Sequence, residues 1–393
     1  MSDNTSNPQN TPPGNQPAPK AGTSEQPGAT SAEVVPTFDG VPTGSAAPVL
    51  VLDRIEAFLD EHGLGAGPVE WERVGGGQSN ITFVLSRGGE KFVLRRGPRP
   101  PLPKGTHNMV REARVQQAVA AQGVPVPKIL AVGEDESILG VNFYIMEFLD
   151  GFVIDSAEPA NVTTAQDRAH VMESFVDSLV KLHSVDVEDP DVARLGKPQG
   201  YLERQVATFT RLWEVNSKRE VPDVVELGRR LAADIPTSQR HAVVHGDYRL
   251  GNVMVRPEGT PDVMAILDWE MATLGDPLAD LGYFLATYAE PGAGQPGGRE
   301  MTVMELSRVT TSEGYLSPEQ VVERYSAGVA EVSGSAPDLS RIDWYKALAL
   351  FKSCVFLEAM FTRWKAGERP GDDFAPRLEQ GVPQLAARGL EWV

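Results

Sequence analysis

The sequence HGDYRLGN at residues 245–252, together with the apolar run that ends at Asp268, is the most informative part of this chain. Asp247 and Asn252 stand five positions apart just before a β-like segment, and Asp268 follows Asn252 by sixteen positions, after a second β-like segment. The turn-forming residues 257–260 lie between the two segments, which predicts a β-hairpin. A hairpin brings the residue before its first strand close to the residue after its second strand. The three oxygen-bearing side chains are therefore expected at one point.

Side chains of this type and spacing suit phosphoryl transfer. That reaction needs a carboxylate to orient the attacking hydroxyl group and accept its proton, and further oxygen ligands for the magnesium ion that bridges the phosphates. The alternative is purely structural, because Asp and Asn commonly form turns and Asp commonly caps helices. Taken alone, the hairpin favours the structural interpretation.

A glycine-rich segment, Gly75–Asn80, precedes another predicted hairpin. The backbone N–H groups of Gly76 and Gly77 could approach phosphate oxygens closely because no side chain stands in the way, and Ser79 could add a hydroxyl donor. The segment is neither a GxGxxG motif nor a Walker motif, so a flexible β-turn is the alternative.

The order of several motifs resembles the aminoglycoside phosphotransferase family, whose relatives include choline kinases and, more distantly, protein kinases. Within that family the chain is most similar to the acyl-CoA-dehydrogenase-associated branch. The resemblance rests on HGDYRLGN and ILDWEMATLGDPLADLG and covers residues 70–290. Its upstream motifs are GGGQSNITFVL, KFVLRRGP, REARV, GVPVPKIL, YIMEFLDG and KLHSVD. Any one of these runs would be weak evidence, but their combined order is specific.

The resemblance implies roles for the hairpin that begins at residue 245, and with it the functional interpretation of the hairpin is favoured. Asp247 would be the catalytic carboxylate, and Asn252 and Asp268 would be the magnesium ligands. His245 would hold the loop rather than react. Asp280 would support the same loop from the following helix.

The resemblance also implies how ATP is held. Arg95 falls at the position where relatives place a lysine that contacts the α- and β-phosphates, and Glu112 is its matching partner on the next helix. For Glu112 the alternative is an ordinary solvated helix charge. An arginine keeps the positive charge but ends in a larger, planar guanidinium group, so its contacts with the phosphates must differ from those of a lysine. Adenine would be held by the backbone carbonyl of Glu147 and the N–H of Leu149.

The predicted fold is α+β, two-lobed and protein-kinase-like. Residues 1–46 are rich in Pro, Gly and small polar residues, which predicts a disordered tail. Residues 47–150 are predicted to form a small N-lobe with an antiparallel sheet and the glycine-rich nucleotide loop. Residues 151–393 are predicted to form a larger, mainly helical C-lobe with the catalytic loop and the acceptor site. ATP is expected in the cleft between the lobes.

The composition narrows the classes of partner. The chain of 393 residues has a formal net charge of −18, which argues against nucleic acid and anionic membrane surfaces because both bind clustered Lys and Arg. No apolar run approaches the roughly 18 residues that span a bilayer, and the N-terminus lacks a signal-peptide pattern, so a cytoplasmic location is predicted. The single cysteine, Cys354, is predicted to be buried and structural. The oligomeric state is left open.

The predicted function is ATP- and Mg2+-dependent phosphorylation of a hydroxyl group of a small molecule, for which a hydroxylated acyl group or another small metabolite is favoured. One alternative is an aminoglycoside-type antibiotic kinase, because an acidic protein suits a polycationic acceptor. Another is a non-catalytic, nucleotide-binding kinase-like protein. Such a protein should have lost Asp247, Asn252 or Asp268, and this chain keeps all three. An enzyme is therefore favoured.

Overall fold

The computed structural model describes residues 33–38, 47–74, 80–100, 108–368 and 371–393. Two hydrophobic cores organise this part of the chain. One core lies under an antiparallel sheet in the N-terminal part, and a larger one lies among the helices that follow. This is the predicted α+β architecture with a small sheet-based part and a larger, mainly helical part.

The N-terminal part is built on a five-stranded antiparallel sheet with strand order β3-β4-β5-β7-β6. Along its second strand, alternate side chains are buried, as expected for a sheet with one face against a core. Gly88 and Gly89 have positive φ and form the tight turn between the second and third strands. The strands are β3 Glu70–Val74, β4 Ile81–Arg87, β5 Glu90–Arg96, β6 Ile129–Gly133 and β7 Phe143–Glu147.

The strand β3 was missed by the sequence pattern, which predicted only the hairpin of β4 and β5. All but one of its residues are exposed, so it lacks the alternation of apolar and polar residues that identifies a half-buried strand. It is an edge strand that pairs with β4 from Glu70 to Val74. The glycine-rich segment that follows it, with Gly76, Gly77 and Ser79, lies outside the described residues.

Three helices accompany this sheet: α1 Leu52–Glu61, α2 Met109–Ala121 and α3 Glu136–Leu139. The second of them links the two parts of the molecule, because Val115 and Val119 belong to the larger core. From the same helix, Arg111 Nη2 donates hydrogen bonds to the carbonyl oxygens of Ala272 at 2.5 Å and Leu195 at 2.9 Å. The position of α2, and of the charged residues on it, is thereby tied to the C-terminal part.

The C-terminal part is mainly helical. Its longest helix is buried along most of its length, and Cys354 lies within it as a buried free thiol, as predicted. None of the helices in the described ranges combines the length and apolarity needed to cross a bilayer. The helices are α4 Ala165–His183, α5 Pro190–Ala193, α6 Tyr201–Asn216, α7 Pro222–Ala233, α8 Leu278–Thr287, α9 Pro318–Ser333, α10 Ile342–Lys365 and α11 Leu378–Leu390.

Short strands carry the loop that the sequence singled out. The strands β10 Val253–Val255 and β11 Val263–Ile266 form the predicted antiparallel hairpin, and β8 Phe152–Val153 pairs with the other edge of β10. A second pair, β9 Ala242–Val244 with β12 Thr273–Gly275, encloses the segment that contains the hairpin.

Part of the predicted disordered tail belongs to the fold. The strand β1 Val34–Val35 pairs in parallel with β2 Leu50–Val51, and Val35 is buried in the N-terminal core. The Glu33 carboxylate lies 2.6 Å from the guanidinium of Arg73. The prediction of a tail over residues 1–46 is therefore wrong for residues 33–38. Two valines within a polar, proline-rich stretch are too short a pattern to indicate a strand.

Two N-terminal truncations should separate the two parts of this segment. Removal of residues 1–32 should leave the melting temperature unchanged, because their composition cannot form a core. Removal of residues 1–38 also deletes the buried Val35 and should cost about 1–2 kcal/mol, or a few degrees in melting temperature. Thermal unfolding of both forms measures the difference. Equal melting temperatures would show that this strand contributes nothing to stability.

Candidate active site

The hairpin brings Asp247, Asn252 and Asp268 together, as the spacing predicted. The Asn252 Nδ2 atom donates to the backbone carbonyl of Asp247 at 2.8 Å and to its Oδ2 atom at 2.7 Å. The Leu267 N–H donates to the Asn252 carbonyl at 2.8 Å, which places the next residue, Asp268, beside Asn252. The amide oxygen of Asn252 accepts no hydrogen bond from any described residue and remains available as a ligand.

The loop that carries Asp247 is held in place by a buried carboxylate. Asp280 accepts hydrogen bonds from the backbone N–H groups of His245 at 2.6 Å and Gly246 at 2.8 Å. The His183 Nε2 atom lies 3.2 Å from the same carboxylate. His183, His245 and Asp280 are buried, which fits the supporting roles predicted for His245 and Asp280.

The backbone of the loop and of the following turn is unusual at two positions. Gly246 has a φ of 87°, and a Cβ atom there would stand 2.9 Å from the Met271 side chain, so glycine is required. Asp268 has a φ of 62°, a left-handed conformation that Asp and Asn tolerate better than most residues. The neighbouring Trp269 is fully buried and its indole N–H donates to the Ile266 carbonyl at 2.9 Å. Its packing holds the turn that directs Asp268 into the site.

Arg95 lies between two carboxylates from different parts of the fold. Its Nε atom is 2.8 Å from Glu112 Oε1, and its Nη2 atom is 2.5 Å from Asp268 Oδ1. The predicted pair of Arg95 and Glu112 is therefore present, whereas the contact with Asp268 was not foreseen. Burial alone would lower the pKa of Arg95, but Glu112, Tyr144, Asp268 and Glu270 outweigh it and raise the pKa. The guanidinium is permanently charged.

Glu112 is buried rather than solvated, with 2% of its surface exposed. The Tyr144 hydroxyl donates to its Oε1 atom at 2.8 Å, and Gln116 Nε2 donates to that hydroxyl at 3.1 Å. Burial raises the pKa of Glu112, and the charge of Arg95 opposes this shift. Arg95 is therefore oriented by a polar network that continues into the interior of the N-terminal part.

Replacement of Arg95 by Met should reveal how strongly its pair with the buried Glu112 contributes to the free energy of unfolding. The Arg95→Met variant leaves the Glu112 carboxylate without its cation and should lose about 3–5 kcal/mol of unfolding free energy. The double variant Arg95→Met/Glu112→Gln removes the uncompensated charge and should be more stable than Arg95→Met alone. Urea unfolding of both variants measures the difference. A double variant that is no more stable than the single one would refute an uncompensated charge as the cause.

The predicted adenine contacts lie at the end of β7. The Glu147 N–H donates to the Lys128 carbonyl at 2.9 Å, and the Glu147 side chain accepts from the Lys128 N–H at 2.7 Å. The N–H of Leu149 has no hydrogen-bond partner among the residues that the structure describes. The geometry thus leaves this donor free for a ligand, and its role toward adenine stays a prediction.

Three residues near Asp247 were not predicted. The Arg249 Nε atom lies 3.6 Å from Asp247 Oδ1. Tyr283 on α8 faces the same carboxylate, and its pKa is raised by burial and by the charge of Asp247. Lys352 on α10 is buried within the electrostatic reach of Asp280 and Asp247. Arg249 could have been noticed as the only Arg or Lys in HGDYRLGN, but the other two come from distant helices.

The oxygen atoms of this site are of the kind that magnesium binds. No group of three or more His, Cys, Asp or Glu within the described ranges could hold a metal ion by itself. Magnesium commonly takes only one or two carboxylates from the protein, with phosphate oxygens and waters as the other ligands. Asp268 and the free amide oxygen of Asn252 supply two hard oxygen donors next to each other.

Comparison with known proteins agrees with this geometry. The fold is that of the kinase-like phosphotransferases. A crystal structure from Ralstonia eutropha, provisionally named an aminoglycoside phosphotransferase, has a TM-score of 0.70 and 30% identity, over 86% of this chain and 97% of that one. An aminoglycoside phosphotransferase in ternary complex with ADP and hygromycin B shares the fold, with a TM-score of 0.53 and 17% identity over 85% of this chain and 98% of that one.

The sequence profile of the phosphotransferase enzyme family matches residues 70–301, and the chain belongs to this family. It is 30% identical over 330 residues to acyl-CoA dehydrogenase family member 11 of Gallus gallus. The aligned region covers 83% of this chain and 40% of that protein. The chain spans less than half the length of the first curated relatives it matches. These matches confirm the resemblance seen in the sequence.

Proposed function

We propose that this chain is an ATP- and magnesium-dependent kinase that phosphorylates a hydroxyl group of a small molecule. The observation that carries this proposal is the convergence of Asp247, Asn252 and Asp268 next to the partly buried guanidinium of Arg95. A carboxylate, two magnesium ligands and a fixed cation are the groups that phosphoryl transfer requires. Family membership supports a phosphotransferase, and ADP in a structure of the same fold supports ATP as the donor.

In this proposal each residue has a separate task. Asp247 orients the acceptor hydroxyl and accepts its proton at Oδ1, which takes no hydrogen bond from any described residue. Asn252 positions the Asp247 carboxylate through its amide N–H and offers its oxygen to magnesium. Asp268 supplies the second magnesium ligand. The magnesium that arrives with ATP neutralises phosphate charge when bound.

The cations of the site complement the phosphates. Arg95 is already oriented by Glu112, so little side-chain entropy is lost when it contacts the α- and β-phosphates. Arg249 lies beside Asp247, and in this proposal it contacts the transferred phosphoryl group. The acceptor oxygen forms a bond to the γ-phosphorus, the bond from that phosphorus to ADP breaks, and the hydroxyl proton passes to Asp247.

For the acceptor we favour a hydroxylated acyl group or another small metabolite. The support comes from curated relatives whose names refer to acyl-CoA dehydrogenases, over 83% of this chain in the first example. The competing acceptor is an aminoglycoside, which the net charge of −18 favours. Net charge describes the whole surface, however, and one pocket can differ from it.

The test is a search for phosphorylated products. The purified full chain is incubated with ATP, Mg2+ and a metabolite extract, and mass spectrometry identifies species heavier by one phosphoryl group. We expect such species with the parent chain and not with the Asp247→Asn chain. Binding of Mg-ATP without any phosphorylated product would favour the non-catalytic, nucleotide-binding alternative.

A further inference from the structure

Lys352 is a buried cation without a protein partner. Only 9% of its surface is exposed, and it lies in the middle of α10. Within the described ranges, no carboxylate pairs with its ammonium group and no hydrogen bond is donated from it. Its ammonium group lies over the ring of Phe209 on α6, whose centroid is 5.3 Å from Nζ. Burial of an unpaired ammonium group is costly, so its presence calls for an explanation.

Other buried or partly buried cations of the described structure do have partners. Arg95 lies between Glu112 and Asp268, and the partly buried Arg219 lies 2.8 Å from the buried Glu358. Arg96, which has no carboxylate partner, donates to backbone carbonyl oxygens instead. Lys352 differs from all of these. Burial lowers its pKa and the charges of Asp280 and Asp247 oppose the shift, so a bound anion would favour the charged form further.

The face of α10 that carries Lys352 packs toward α8, the helix whose Asp280 holds the catalytic loop. Tyr345 lies two helical turns earlier on this face, and its hydroxyl donates to Asp276 Oδ2 at 2.8 Å. Gly282 of α8 packs directly against Tyr345. The charges of Asp280 and Asp247 both reach Lys352, so this lysine belongs to the helical side of the site, whereas Arg95 belongs to the N-terminal sheet.

We propose that Lys352 is a specificity residue of the acceptor site and that it binds an anionic oxygen group, a carboxylate or a phosphate, of the molecule whose hydroxyl is phosphorylated. This inference rests on the proposed kinase function. The lysine lies over the buried ring of Phe209, and the ring of Phe356, 5.2 Å from that of Phe209 and one helical turn after Lys352, is half exposed and offers an apolar surface to the carbon part of the same molecule. A hydroxylated organic anion satisfies both features.

The same arrangement selects against polycationic acceptors. An ammonium group fixed in a poorly solvated site repels a second positive charge and attracts an anion. Together the two effects can make the affinities for an anionic and a cationic partner differ by several powers of ten. An aminoglycoside would bring several positive charges to this lysine. The local charge next to Asp247 thus argues against the acceptor that the net charge of the chain favours.

The test uses small probes and the full chain. Hexanoate, hexyl phosphate and hexylammonium share one apolar chain and differ only in the charged group. Ligand-observed NMR titration should show that at least one of the two anions binds the parent chain, whereas hexylammonium does not. In the Lys352→Met variant the affinity for that anion should fall at least tenfold. The comparison of the two anions tells a carboxylate site from a phosphate site.

Matched variants make the outcome decisive. Lys346→Met changes another lysine of α10, which pairs with Asp343 at 2.7 Å, and should leave anion binding unchanged. Lys352→Arg keeps the charge and should retain binding. Lys352→Met breaks no ion pair, so its melting temperature should not fall. If neither anion binds the parent chain, or if Lys352→Met binds them equally well, the proposal is overturned.

A separate titration with Mg-ATP distinguishes the failure of this inference from the failure of the kinase proposal. Mg-ATP should bind the parent and the Lys352→Met chains with equal affinity, because the lysine is assigned to the acceptor. Absence of Mg-ATP binding to the parent chain would refute the kinase proposal. Loss of Mg-ATP affinity in Lys352→Met alone would overturn the assignment of this lysine to the acceptor.

Discussion

Replacement of Asp247 by Asn should lower kcat by about 100-fold or more and leave the affinity for Mg-ATP almost unchanged. A carboxylate that orients the acceptor hydroxyl and takes its proton acts in the chemical step, not in nucleotide binding. The side-chain amide keeps the size of the carboxylate and retains one oxygen that can accept the hydrogen bond from Asn252 Nδ2. The loop should therefore keep its structure, and the loss can be interpreted as chemistry.

The measurement pairs calorimetry with Mg-ATP and turnover with an acceptor from the extract search. Asp191→Asn is a matched control, because the Asp191 side chain is 76% exposed and pairs only with Arg194 on the surface. Parent-like turnover of Asp247→Asn would remove the catalytic assignment and support a binding protein. A loss of ATP affinity would instead move Asp247 to the metal site.

Replacement of Asp268 should remove the dependence of ATP binding on magnesium. An Asp268→Ala change deletes a hard oxygen ligand, but it also puts alanine at a φ of 62°, where a β-carbon is strained. Asp268→Asn avoids this strain because Asn tolerates the left-handed conformation. The affinity for Mg-ATP should fall by about 100-fold or more in the Asn variant, since even residues that only support a metal ligand cost about 10- to 100-fold.

Titrations of ATP with and without magnesium test this prediction. Without magnesium, the Asn variant should bind ATP at least as well as the parent, because the change removes a negative charge and releases Arg95 from its 2.5 Å contact. Asp262→Asn, on the turn of the same hairpin, is the control, with its side chain 46% exposed. If magnesium still strengthens ATP binding to Asp268→Asn as much as to the parent, Asp268 is not a magnesium ligand.

Local patterns in the sequence were sufficient for two hairpins. The spacing from Asp247 to Asp268 predicted the strands β10 and β11, and the run after the glycine-rich segment predicted the strands β4 and β5. These features depend on short-range geometry, which residue order specifies directly. The partners Arg95 and Glu112 were predicted from the resemblance to the family instead, and their side chains lie 2.8 Å apart.

The sequence by itself determined the fold class and the family, and it predicted the residues proposed for phosphoryl transfer. Only the tertiary structure decided that Arg95 contacts Asp268, a residue 173 positions away, that Val35 is buried in the N-terminal core, and that Lys352 is buried without an ion-pair partner among the described residues. The mainly apolar sequence of α10 indicates that it is buried, but it cannot show which element covers each face. Which element covers each face depends on long-range packing, because the free energy comes from many contacts between segments that are distant in the sequence.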